Sequence, residues 1–166
     1  GQLQQVSEQT SEQEFLAVHQ TLTAAGYEHY EVSNFARKGY RSRHNSSYWT
    51  GAEYLGIGPG AHSFNGATRR WCEQDVEQYI ECVEYGSEEL TTQEALNEYI
   101  MVSLRRVEGV DLQHIAKTWG PKSAERITER AERFIDCKWL VQSGERLAVP
   151  ADKFLISDSI IEEFFE

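Results

Sequence analysis

Between Ala36 and Glu53 the hydrophobic periodicity that organises the rest of this 166-residue chain disappears, and glycine, serine, asparagine and aromatic residues take its place. A pattern-free stretch of this length is too long for a passive connection inside a compact domain, so it is predicted to be a functional loop on a scaffold built by its flanks. Upstream, Ser11-Glu12-Gln13-Glu14 has capping-box spacing, and Phe15, Val18, Leu22 and Ala25 recur at helical intervals up to Gly26. This predicts a helix over 11–25 with glycine at its C′ position. The strand formers Tyr27 to Phe35 follow, with Tyr30 and Val32 on one face. Helix, short turn and strand together predict an αβ unit of the kind that builds parallel sheets.

Downstream of the loop, Tyr54 to Ala61 reads as a short apolar strand running into a glycine-rich exit. Thr68 to Trp71 is predicted to be another strand, and Asp75 to Tyr85 a helix with Val76, Tyr79, Ile80 and Val83 turned inward. The second half is more regular. Thr91-Thr92-Gln93-Glu94 is a capping box for a helix carrying Leu96, Tyr99, Ile100, Leu104 and Val107 and stopping at Gly109. Asp111 caps a short helix that ends at Gly120, and Pro121 opens a third with Ala124, Ile127, Ala131 and Phe134 on its apolar stripe. A Ser143-Gly144 turn makes a hairpin of 140–149, and a last helix over about 157–166 packs Ile160, Ile161, Phe164 and Phe165. Three helices and a two-stranded wing form a winged-helix-like arrangement. The α/β part is expected to occupy 1–86 and the helical part 87–166.

Charge narrows the function. The net charge is -11, with 6 Lys/Arg against 10 Asp/Glu in residues 1–83 and 10 against 17 in residues 84–166. A phosphate-backbone binder needs a basic face, so nucleic acid is not expected as a partner. Arg126, Arg130 and Arg133 alternate with Glu125, Glu129 and Glu132, which predicts a solvated helix face with a Glu129–Arg133 ion pair rather than a DNA-reading helix. Mean hydropathy is -0.58 and no apolar run approaches membrane-spanning length, so no membrane span is expected. No secretory leader is visible at the start of the sequence. Cys72, Cys82 and Cys137 lack pair and cluster spacing, so buried free thiols and a reducing, cytoplasmic location are expected.

Two clusters are candidates for chemistry. Arg43-His44-Asn45-Ser46-Ser47-Tyr48-Trp49 offers one ligand nitrogen and two flat rings. It suits a planar, partly apolar molecule whose metal accepts an axial histidine. From spacing alone it reads more readily as a loop whose Tyr48 and Trp49 plug a core edge while His44 bonds backbone. Gly56-Ile57-Gly58-Pro59-Gly60-Ala61-His62 is either a strand end where backbone approaches a ligand or a simple tight turn. It is not a dinucleotide fingerprint, because the glycine spacing is broken and Pro59 intrudes. His29 and Glu31 share a strand face, as an acid/base pair or as polar residues at a solvent edge. His19 and His114 are expected on the surface.

Three segments carry a family resemblance: Ala25 to Ala36 (AGYEHYEVSNFA), His44 to Trp49 (HNSSYW), and Tyr54 to Ser63 (YLGIGPGAHS). In this order and spacing they resemble the oxygen-independent coproporphyrinogen III oxidase family of radical-SAM proteins, and the likeness continues through the winged-helix-like region. The H-N-x-x-Y-W signature is similar to that of the family's HemW-type haem-chaperone branch. The resemblance implies an α/β plus α fold, the C-terminal portion of a partial (β/α) radical-SAM barrel followed by the helical, winged-helix-like domain. It implies haem held by His44, with His44 ligating the iron and Asn45, Tyr48 and Trp49 as motif partners. Gly58, Gly60, Ala61 and His62 would lie at the barrel mouth, where the family holds S-adenosylmethionine.

The family's CxxxCxxC motif for a 4Fe–4S cluster is absent from the 166 residues. The resemblance therefore implies a C-terminal part of a longer protein, with no catalytic residue of its own and with the cluster bound by the missing N-terminal barrel portion. The implied function is haem chaperoning, with haem or porphyrin and haem-accepting proteins as partners. The alternatives are a coproporphyrinogen dehydrogenase, which removes propionate carboxyls oxidatively with S-adenosylmethionine, and a stand-alone interaction module.

Overall fold

The computed structural model describes residues 6–49, 51–72, 75–81 and 84–165. They form two compact units, one of Gly1–Ser42 with Leu96–Glu166 and a smaller one of Arg43–Ala95. The expected division at residue 86 thus differs from the spatial one, because the first helix and hairpin share a unit with the C-terminal helices.

Helix α1 spans Glu8–Ala24, starting earlier than the Ser11 capping box predicts. Ser7 is the N-cap, its Oγ accepting from the Thr10 amide at 3.1 Å, so Ser11 is already interior. Gly26 takes the left-handed conformation (φ 84°) expected just beyond a helix end. Val18 lies exposed rather than in the core, while Phe15 packs on it.

Strand β1 (Tyr27–Glu31) and β2 (Asn34–Arg37) replace the single predicted strand. They pair antiparallel, Tyr27 opposite Arg37, with a bulge between His29 and Glu31. The chain reverses at Val32-Ser33 because the Glu31 carboxylate accepts from Asn34 Nδ2 and from Ser33 Oγ, satisfying the turn from inside. The expected parallel pairing is therefore not realised, and every pairing between strands described here is antiparallel.

The smaller unit holds helix α2 (Arg43–Tyr48), strands β3 (His62–Phe64) and β4 (Thr68–Cys72), helix α3 (Val76–Glu81) and strand β5 (Tyr85–Glu89). The strands form an antiparallel sheet in the order β3-β4-β5. Strand β5 corrects the expected helix over 75–85, which ends at Glu81 and leaves Val76 and Ile80 in solvent. Val83 lies outside the described residues. Gly86 sits opposite Trp71, and a methyl group there would fall 2.3 Å from the indole ring, so only glycine lets that ring lie over β5.

Helix α4 (Thr92–Leu104) starts where the capping box places it. The Thr91 amide donates to Glu94 Oε2 at 2.8 Å and the Glu94 amide donates to Thr91 Oγ1 at 3.2 Å. From Leu96 onward it belongs to the larger unit. Strand β6 (Val110–Asp111), helix α5 (Leu112–Trp119), helix α6 (Pro121–Asp136) and the hairpin of β7 (Val141–Ser143) with β8 (Arg146–Ala148) follow. Asp111 caps α5 as expected, accepting from the His114 amide at 3.0 Å. The wing has three strands, β6-β8-β7, one more than the hairpin predicted. Gly109 (φ 64°) makes the extra pairing reachable, since a Cβ there would meet the Leu147 carbonyl at 2.2 Å. A 3₁₀ segment (Ala151–Ile156) precedes helix α7 (Ser157–Glu162), which starts where the last helix is expected and ends earlier.

The core is the buried cluster around Ile100, Leu104, Ile115, Leu147, Phe154 and Ile160. Two arginines of α6 reach outside their own helix. Arg133 meets Glu163, and Arg130 donates to the Phe164 carbonyl at 3.1 Å, instead of a Glu129–Arg133 pair. Cys72 is buried as expected, Cys137 is exposed against expectation, and Cys82 lies outside the described residues.

Candidate functional site

The pattern-free stretch is not a loop throughout. Its centre winds into α2, which sets His44 and Tyr48 four residues apart on one helix face. Both are exposed, while Asn45 and Trp49 are half-buried. The two rings meet edge to face, with centroids 5.1 Å apart at 84°, and Tyr48 Oη lies 3.4 Å from His44 Nε2. Ser47 Oγ donates to the His44 carbonyl at 2.6 Å, holding the last turn of this short helix. The arrangement places an imidazole and a phenol edge to face on an exposed helix face, with the phenol oxygen beside the distal ring nitrogen.

Behind Tyr48 stands Tyr54, with ring centroids 5.0 Å apart at 70°. Tyr54 is fixed through its backbone: its amide donates to the Phe64 carbonyl at 2.9 Å, and the Phe64 amide donates back at 2.9 Å. The sequence pattern places Tyr54 in an apolar strand and does not single it out. Its signal was an aromatic side chain immediately before the glycine-rich run.

The segment after Tyr54 corrects another expectation. Only a single bridge, Tyr54 to Phe64, forms where a strand over 54–61 was expected, and Leu55 and Ile57 stand 79% and 84% exposed. Gly56 is required, because a Cβ would lie 2.1 Å from the His62 carbonyl. Its amide donates to Ser63 Oγ at 3.0 Å. Gly58 (φ 115°) and Gly60 (φ 68°) make the tight turn, closed by the Ala61 amide donating to the Gly58 carbonyl at 3.2 Å. Around Gly58 the space a side chain would occupy is open. His62 opens β3, exposed, opposite Trp71.

His29 and Glu31 are not at a solvent edge or a mouth. They are buried, 4% and 2% exposed. His29 stacks on Phe35 at 3.9 Å and meets Phe154 edge-on at 5.1 Å. Its Nε2 lies 3.3 Å from the Val32 carbonyl, which can only accept, so Nε2 carries the proton. Nδ1 then accepts from His19 Nδ1 at 3.0 Å, which draws His19 out of the surface role expected for it. Burial, with the nearby His19, pushes the His29 pKa below the usual histidine value against the opposing effects of the Val32 bond and Glu31. This pair is part of the structural core. His114 is exposed on α5, as expected. Among the described residues no group of three or more His, Cys, Asp or Glu converges to hold a metal ion. No helix among them is long and apolar enough to cross a membrane.

Residues 90–152 match the family model for the HemN C-terminal domain. Over 96% of its length the chain superposes, with a TM-score of 0.71 and 17% identity, on 42% of the Escherichia coli coproporphyrinogen III oxidase HemN, described as a radical SAM enzyme. The fold is thus the C-terminal portion of a radical-SAM barrel protein with its helical, winged-helix-like domain. The chain is 34% identical over 146 residues to the heme chaperone HemW of Mycobacterium tuberculosis, covering 84% of this chain and 35% of that protein. It is 37% identical over 105 residues to Bacillus subtilis HemW, covering 60% of this chain and 28% of that protein. It is also 33% identical over 160 residues to the mitochondrial radical S-adenosyl methionine domain-containing protein 1 of Bos taurus, covering 82% of this chain and 36% of that protein. The chain is thus similar to HemW-type proteins over most of its own length, and its residues 90–152 carry the HemN C-terminal domain. It spans about a third of the length of the curated relatives it matches.

Proposed function

We propose that the full-length protein is a haem chaperone, binding haem through His44 and passing it to haem-accepting proteins. The observation that carries this reading is the exposed His44 imidazole on α2, with Tyr48 Oη 3.4 Å from its Nε2 and aromatic edges beside it. His44 supplies the axial nitrogen, while Asn45 and Trp49, half-buried on the same short segment, anchor it and flank the porphyrin. The names of the HemW relatives support the same cargo. A reducing compartment, the cytoplasm, suits the free thiols of Cys72 and Cys137.

The open turn of Gly58, Gly60, Ala61 and His62 is proposed to receive S-adenosylmethionine, with the ligand lying against bare backbone at Gly58. That cofactor, with a reduced 4Fe–4S cluster, supplies radical-generating chemistry when both are bound. The cluster does not fit this chain's own cysteines, which lack the CxxxCxxC spacing, so no step is derived through it.

Titration of the full-length protein with ferric haem tests the reading. The expected result is a Soret band that is lost or shifted in His44→Ala, with weakened affinity. An unchanged spectrum and affinity would remove His44 as the ligand. Turnover of coproporphyrinogen under anaerobic reducing conditions would replace the chaperone assignment with an oxidase.

A further inference from the structure

Iron in a porphyrin can reach an imidazole only through a nitrogen that stands clear of the protein. Nδ1 adjoins the side chain's own Cβ and, on a helix, the backbone turn beside it. Nε2 of His44 is the distal nitrogen, and that is the atom Tyr48 Oη approaches at 3.4 Å. With the phenol donating, the lone pair that would bind iron is already engaged. We propose that Tyr48 is a displaceable cap on the His44 ligand nitrogen, held ready by Tyr54.

The contact is long compared with a usual O–H hydrogen bond of about 2.7–2.8 Å, and both rings are exposed, so it is weak enough to be displaced. Tyr48 is nevertheless directed. One ring edge meets His44 at 5.1 Å, and its other neighbour, Tyr54, sits at 5.0 Å. Tyr54 does not move freely, because two backbone hydrogen bonds of 2.9 Å tie it to Phe64 and its ring lies 6.2 Å from that residue's. The row His44–Tyr48–Tyr54–Phe64 thus sets the phenol against the imidazole from a fixed post on the sheet. This arrangement suits a cargo that must leave again. With the site empty, the phenol rather than water alone lies against Nε2. Tyr48 and Tyr54 are positioning residues that set the exchange of haem at His44. The proposal rests on His44 being the ligand.

Stopped-flow and equilibrium titration with ferric haem on the full-length protein test it, using His44→Ala, Tyr48→Phe and Tyr54→Leu. Tyr48→Phe keeps the ring and removes the hydroxyl, so haem should bind faster and about two- to tenfold more tightly, with the Soret position unchanged. Tyr54→Leu should move affinity in the same direction by a smaller factor. Unchanged or weakened binding in Tyr48→Phe, while His44→Ala abolishes it, would overturn the cap and make Tyr48 a bystander or part of the bound state. A second readout needs no haem. ¹⁵N NMR of the His44 ring should show a hydrogen-bonded acceptor at Nε2 that becomes a free nitrogen in Tyr48→Phe, and no change there would also overturn the proposal. If His44→Ala leaves haem binding intact, the haem assignment fails, and the NMR result still decides the cap.

Discussion

In the larger unit Ile100, Leu104, Ile115 and Phe154 are almost wholly removed from water, whereas in the smaller unit Leu55 and Ile57 stand 79% and 84% exposed. Cys72 is the one apolar side chain fully buried in the smaller unit among the described residues. The same residue types thus stabilise one unit and contribute little to the other, because apolar area lowers the free energy only where water leaves it. The smaller unit is held by the β3-β4-β5 ladder, the Tyr54–Phe64 bridge and ring contacts. The candidate site lies in this lightly packed unit, whose side chains can yield to a ligand with little loss of packing.

The sharpest way to break this contrast is to remove bulk from each unit. Phe154→Ala should cost about 3–5 kcal/mol, since it opens a cavity in a close-packed core. Ile57→Ser should change stability by less than about 0.5 kcal/mol. Urea unfolding of both variants checks the pair, and comparable losses would mean that Ile57 is covered in solution.

Next in size are the two crowded glycines. Gly109→Ala should cost at least about 2 kcal/mol, because it imposes a left-handed conformation on alanine and drives a methyl group into the Leu147 carbonyl. Gly86→Ala meets the Trp71 indole, a side chain that can rotate, so a smaller loss is expected. Indole fluorescence should change with Gly86→Ala and report the displaced ring.

A pH series separates the units further. Folded His29 resists protonation through its burial, while in the unfolded chain it takes a proton near pH 6.5. The unfolded state therefore binds more protons below that value. Stability should fall as pH drops through about 6.5 and level off once the folded pKa is passed. His29→Phe should flatten that slope, measured as urea midpoints at several pH values. An unchanged slope would assign the acid sensitivity to other groups.

The smallest effect concerns the cap of α4. Thr91→Ala should cost about 1 kcal/mol, as it leaves the Glu94 amide without its Thr91 Oγ1 partner. Thermal unfolding by circular dichroism is sufficient to detect it.

Local rules were legible wherever a residue acts on its chain neighbours. The Thr91 and Asp111 caps, the Pro121 helix start, the Gly26 terminus and the Ser143-Gly144 hairpin all lie where spacing predicts them. The i,i+4 spacing of His44 and Tyr48 was also present in the letters, although glycine- and serine-rich flanks hid the short helix that uses it. Tertiary structure decided the rest. It turned the segment after Tyr27 back on itself, buried His29 and Glu31 together, added β6 to the wing, and left Leu55, Ile57 and Ile80 in water. Periodicity tells which residues share a face. Whether that face is covered depends on what packs across from it, and pairing partners such as Leu147 for Val110 lie far along the chain. Their pairing is set by long-range sterics and desolvation rather than by neighbouring residues.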